Sequence, residues 1–141
     1  MGVLIRRVQV WAAEVPDRPG AAVAMLEELA RGGVDLEFLF TRPHPAKPDY
    51  TMLFLAPISG PEQTQAARHT GLGPALDVAM LCLEGDNRPG IGYEVMSCLA
   101  VAGINLRGLS ISALGQRFAA YLAFDNPDVA TQALQVLATI V

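Results

Sequence analysis

Cysteine is nearly missing from this chain. Two, Cys82 and Cys98, occur in 141 residues, too few for a disulfide framework. They form no CxxC pair, and both read as small apolar side chains. Lysine is scarcer still, with Lys47 alone; basic residues total 10 against 14 acidic ones, for a net charge of −4. Nucleic acid is held by clustered Lys and Arg. The cations here are scattered, so no nucleic-acid partner is expected. There are only 2 histidines, His44 and His69, with no HExxH pattern, and both read as loop or surface residues. No serine sits on a GxSxG elbow, and no GxxxxGK[ST] loop exists. Gly71-Leu72-Gly73 lacks the third glycine of a dinucleotide fingerprint, and Gly90-Ile91-Gly92 falls inside a helical pattern. No charge-free apolar run nears the roughly 18 residues of a membrane span. The first residues, Met1 to Arg7, lack the order of a signal peptide. The expectation is a cytoplasmic protein that is not an enzyme and has no cofactor, metal or membrane partner.

What is abundant is apolar surface, and it is arranged twice. Hydrophobic residues make up 52% of the chain and charged ones 17%. Asp17-Arg18-Pro19-Gly20 precedes an apolar stretch and then Gly33-Val34-Asp35-Leu36; Asn87-Arg88-Pro89-Gly90 precedes another and then Gly103-Ile104-Asn105-Leu106. Both glycine pairs are 70 positions apart. The same offset aligns Leu29 with Leu99, Leu39 with Leu109, Phe54 with Phe124 and Pro57 with Pro127, so the register is expected to survive both loops without a gap. Such a period is long for a solenoid and fits two small domains, 1–71 and 72–141. A unit of that size buries only about 60% of its unfolded surface and is marginal alone. The halves are expected to support each other, and a homodimer is expected.

Each half reads β-α-β-β-α. Val8–Ala13, Leu36–Thr41 and Tyr50–Ala56 read as strands, Ala21–Gly32 and Gly60–His69 as helices. Met25 and Leu29 form an inner stripe, and Glu27, Glu28 and Arg31 face water. Pro43 to Pro48 is an exposed loop, since proline removes ladder donors. The second half repeats this with strands over Val78–Leu83, Asn105–Ala113 and Phe118–Phe124. Its helices cover Gly90–Ala102 and Pro127–Ala138. Met25, Met52, Met80 and Met96 read as core filler. The fold class is α+β: two ferredoxin-like modules side by side, each an antiparallel sheet with helices on one face. That fold needs one more strand per unit. Either the last strand is short or missing, or the stretches Val3–Glu14 and Ala75–Glu84 each serve two sheets.

The Arg-Pro-Gly turns carry the functional reading. Proline suits the first helical position, and glycine permits a tight turn. The free N–H groups and the dipole of a helix start favour a carboxylate or phosphate. A well-capped turn with nothing bound is the plain alternative. Asn87 precedes the second turn and Asn105 follows its helix. In a β-α-β unit with adjacent strand ends, or across a pseudo-twofold pair, the two amides can converge. Two amides with helix N–H groups can satisfy both ends of a zwitterion.

The segments Glu14–Gly20 with Gly33–Leu36, and Glu84–Gly90 with Gly103–Leu106, resemble the ACT domain, a regulatory ligand-binding module of amino-acid metabolism. The resemblance extends over nearly the whole chain. It implies a βαββαβ sandwich whose domains pair side by side and bind an amino-acid effector at the pair interface. The residues it implicates are Asn87, Arg88, Pro89, Gly90, Ile91, Asn105 and Leu106 in the second copy, and Asp17, Arg18, Gly20, Asp35 and Leu36 in the first. Amides at both polar positions make Asn87 and Asn105 the better expected site, because Asp17 and Asp35 repel a carboxylate. Arg18 and Arg88 also invite comparison with acylphosphatase, a ferredoxin-like enzyme. Its phosphate cradle needs free N–H groups where this chain has proline. The other reading is a structural dimerisation module without a small ligand.

Overall fold

The computed structural model describes residues 3–140. The chain forms β1 (Leu4–Val8), β2 (Trp11–Pro16), α1 (Val23–Arg31), β3 (Phe38–Pro43), β4 (Tyr50–Ala56), α2 (Gly60–His69), β5 (Gly73–Pro74), β6 (Ala79–Asp86), α3 (Ile91–Val101), β7 (Gly108–Leu114), β8 (Arg117–Phe124) and α4 (Pro127–Leu137), followed by a 3₁₀ turn over Ala138–Ile140. Two four-stranded antiparallel sheets result, in the orders β5-β2-β4-β3 and β1-β6-β8-β7. The architecture is α+β, with two βαββαβ-like modules.

The chain divides into two compact units. One is Gln9–Ala75, here the N module; the other, the C module, joins β1 to the chain from Leu76 onward. This differs from the expected division at 1–71 and 72–141. The reason lies in strand pairing. The N module closes its own sheet with β5, which pairs Gly73 with Ala12 and Pro74 with Trp11. The C module takes its fourth strand from the other end of the chain: β1 lies antiparallel to β6, from Leu4 opposite Glu84 to Val8 opposite Met80. The stretch Val3–Glu14 therefore does serve two sheets, breaking at Gln9-Val10. The second stretch expected to do so, Ala75–Glu84, must be extended back to Gly73 before it touches both.

The equal offset holds only through the first hairpin strand. Phe38 pairs with Ala56, whereas Gly108, 70 positions on from Phe38, pairs with Ala123, only 67 on from Ala56. The hairpin loop is His44–Asp49 in the N module and Gly115-Gln116 in the C module. Phe54 thus corresponds to Tyr121 and not to Phe124, and Pro57 corresponds to Phe124 and not to Pro127. Apolar alternation masks a three-residue slip when the aligned positions happen to match.

Each module packs both helices against one sheet face. In the N module Trp11, Ala13, Val15, Leu53 and Leu55 meet Met25, Leu29 and Ala67. In the C module Leu81, Leu83, Phe118, Ala120, Leu122 and Phe124 meet Ile91, Val95, Leu99, Ala130, Ala133 and Leu137. The period-2 strands and the 3–4 spacing of the helices supply these faces. Met25 and Met80 are buried and Met52 is half-buried, but Met96 is exposed. Among the described residues no helix is long and apolar enough to cross a membrane.

Candidate functional site

Both Arg-Pro-Gly turns link the end of a central strand to a helix. Gly20 has φ +77° and Gly90 φ +88°, a region that costs any residue with a Cβ about 1–2 kcal/mol. The chain can therefore reverse there only at glycine. Asp17 N–H donates to Asp49 O at 2.9 Å and Asn87 N–H to Gln116 O at 2.7 Å. Each turn is thereby tied to the hairpin loop of its own sheet. After each helix the exits also match, with Val34 N–H donating to Leu29 O and Ile104 N–H to Leu99 O, both at 3.0 Å.

The side chains around the two turns differ. In the N module Asp17, Arg18 and Gly20 line a cleft of about 320 Å³ with Val15, Leu26, Leu53 and the hydroxyl-bearing Thr41 and Thr51. Neither Asp17 nor Arg18 has a side-chain partner among the described residues. In the C module the Arg88 guanidinium is paired with Glu94, on the first turn of α3. That hydrogen bond holds the Glu94 carboxyl below the usual carboxylate range and raises Arg88 further. Asp86 beside it is paired with Arg117 at 2.9 Å. The C-module turn thus has its charges satisfied internally, while the exposed Asn87 amide has no partner among the described residues.

Asn87 and Asn105 do not meet within one module. Asn87 follows Asp86, which pairs with Arg117 at the hairpin end of the sheet. Asn105 precedes β7, whose first residue, Gly108, pairs with Ala123, and Ala123 lies opposite Met80 at the other end. From Met80 to Asp86 the strand covers roughly 20 Å. A strand and the next parallel strand begin at the same end, so the residue after one and the residue before the other lie at opposite ends. Asp17 and Asp35 are separated in the same way, and Asp35 does not line the Asp17 cleft. The convergence expected in one β-α-β unit is therefore absent. Among the other expected residues, Ile91 is buried in the C-module core, Leu106 packs on it, and Leu36 packs on the N-module core. Pro89 is exposed at its turn.

Sequence reading missed Thr41 and Thr51 in the cleft, and Glu94. The signal for Glu94 was present, an acid in the first helical turn six positions after an arginine. His44 lies in the hairpin loop, as expected of it. Its side chain is only 10% exposed and bonded to Glu14. No group of His, Cys, Asp and Glu that could hold a metal occurs among the described residues.

No protein-family model matches the chain, and no curated protein does. Solved structures do. Protein BT0572 from Bacteroides thetaiotaomicron superposes with a TM-score of 0.77 at 14% identity, covering 96% of this chain and 89% of that one. The regulatory subunit of aspartate kinase from Thermus thermophilus, in its ligand-free form, gives 0.65 at 19% identity, covering 99% and 97%. Aspartokinase III of E. coli, in complex with aspartate and ADP, gives 0.56 at 16% identity, covering 99% of this chain and 33% of that one. Identities this low speak to fold alone. With its two βαββαβ-like modules and their twin glycine turns, the chain shares its fold with the Thermus thermophilus regulatory subunit, and that is the fold the ACT resemblance implied.

Proposed function

We propose that this chain is a regulatory protein that binds a small molecule, an amino acid, and is not an enzyme. One observation carries the reading: the same strand-to-helix turn is built twice, and each copy leaves polar side chains without a partner among the described residues, Asp17 and Arg18 in one and Asn87 in the other. The fold shared with a regulatory subunit of aspartate kinase supports the same role. Because Asn87 and Asn105 lie at opposite ends of their sheet, the proposed site is bipartite. The turn of one module supplies one half, and the polar residue after the helix of a neighbouring module supplies the other. Asn87 and Asn105 offer donors to a carboxylate and acceptors to an ammonium. Asp17 and Arg18 offer one charge of each sign. The ligand acts by favouring the paired state over the unpaired one, through its differential affinity for the two.

A thermal-shift screen of the twenty amino acids tests this. Ligand that binds the folded state raises Tm as its concentration passes Kd. At least one amino acid is expected to do so at millimolar concentration; if none does, the reading fails.

A second reading, a pairing module without a small ligand, has its own support. The outer face of α3 carries Tyr93 at 78% and Val101 at 90% exposure, with Met96 also exposed. That apolar surface suits a homodimer contact.

A further inference from the structure

The N module holds a polar cluster that the proposed function does not use. His44 opens the hairpin loop His44–Asp49, and its ring is held on both sides. Nδ1 accepts hydrogen bonds from the N–H groups of Ala46 and Lys47, both at 3.0 Å. Nε2 faces Glu14 Oε1 at 2.9 Å. A nitrogen that accepts from two N–H groups carries no proton, so the ring proton sits on Nε2 and is donated to Glu14. Lys47 Nζ reaches the other oxygen of Glu14 at 2.7 Å and lies 5.4 Å from the centre of the Tyr50 ring. His44 N–H donates to Tyr50 O and Tyr50 N–H to Lys47 O, both at 3.1 Å. The far end of the loop is fastened to the candidate turn, since Asp49 O accepts from Asp17 N–H.

We propose that His44 is a proton-operated latch: neutral, it holds the loop 44–49 closed against the Asp17 turn; protonated on Nδ1, it releases the loop. Protonation replaces the lone pair with a third donor, aimed at two donors that cannot turn away without moving the backbone. The ring is 10% exposed, so water does not take over its role. Glu14 keeps its hold on Nε2, so the strain falls on the Ala46–Lys47 side. The charged groups facing the ring are the Glu14 carboxylate from β2 and the Lys47 ammonium from the loop. The Tyr50 phenol of β4 lies beneath that ammonium, and Asp49 and Asp17 meet at the loop's far end. Lys47 and His44 hold the Glu14 carboxyl below its ordinary value, and Glu14 holds Lys47 above its own. Both keep their charges near neutrality. The C module has no counterpart, because its loop is Gly115-Gln116 alone.

Control of effector affinity by this latch rests on the proposed function; the loop movement does not. The experiment reads the movement directly, by nitrogen-15 NMR and amide exchange on the full chain without ligand. At pH 8 the His44 nitrogens should report the Nε2–H tautomer, and the Ala46, Lys47 and Asp17 amides should be protected. Protection factors of all three should fall at least tenfold as the imidazole protonates. His44→Gln, whose amide does not titrate, should show no such fall. The latch is overturned by an Nδ1–H tautomer at pH 8, by amides that stay protected while the ring titrates, or by an equal fall in His44→Gln. Should that variant lose the loop at both pH values, the wild-type titration alone decides. A protein that binds no amino acid yet shows the titration would sink the proposed function and leave the latch standing.

Discussion

Gly90 is the residue on which the C-module turn depends most directly. A Cβ at this position meets nothing within 4 Å, so the obstacle to a side chain is the backbone angle, φ +88°. Gly90→Ala should therefore destabilise the protein by about 1–2 kcal/mol, read as a lower urea midpoint at unchanged slope. The Glu14 cluster predicts a pH dependence. Hydrogen bonds from Lys47 and His44 lower the Glu14 carboxyl from its ordinary 4.5. A lowered acid contributes stability that is present above its unfolded value and is lost as pH falls through the folded one. Lys47, raised above 10.5 by Glu14, contributes below its unfolded value and loses that contribution as pH rises through the folded one. The wild type should thus exceed Glu14→Gln in urea midpoint between about pH 4.5 and 10.5 and converge with it below and above that window. Composition and turn chemistry made the glycines legible at this level. The contact of His44 with Glu14 was not, since it depends on a loop folding back across thirty positions of chain.

Among the elements, β1 has the largest consequence for its length. It supplies the C module's fourth strand and, with Val3, places Ile5 on that module's core. Removing residues 1–8 should unfold the C module while Gln9–Ala75, which closes its own sheet, keeps its structure. Circular dichroism on the truncated chain and an amide spectrum of the isolated 9–75 fragment would check both halves of that expectation. A milder version is Ile5→Asp, which sets a carboxylate against the apolar core and should cost several kcal/mol. Most strands and helices were readable from periodicity: Tyr50–Ala56 and Gly60–His69 match their expected bounds residue for residue. The break at Gln9-Val10 was not, because the residues on both sides favour a strand and nothing local marks where one sheet ends.

For the molecule as a whole, the two readings of function predict different behaviour. If an amino acid binds between modules, Asn105→Ala should abolish the thermal shift that this ligand produces, while leaving the unliganded Tm within about 1 °C, as an exposed substitution should. A shift that survives would place the site elsewhere. If α3 forms a homodimer contact, Tyr93→Ser combined with Val101→Lys should move the protein to a lower mass in sedimentation velocity. An unchanged mass would remove that contact. Neither substitution touches the core, so a loss of fold is not a competing explanation for either result.

The local chemistry of the chain was enough to reveal the duplication, the elements and both glycine turns. Helix stripes, strand alternation and the steric demands of proline and glycine act over only a few residues, and a reader of the chain sees them directly. Which strand lies beside which was decided by the folded protein. Antiparallel β6 accepts β1 from the far end of the chain because that edge would otherwise be open, and backbone hydrogen bonds carry no mark of sequence distance. The pairing of β6 and β7 with β8 puts Asn87 and Asn105 at opposite ends of one sheet. That separation depends on strand direction, which no spacing between two residues records.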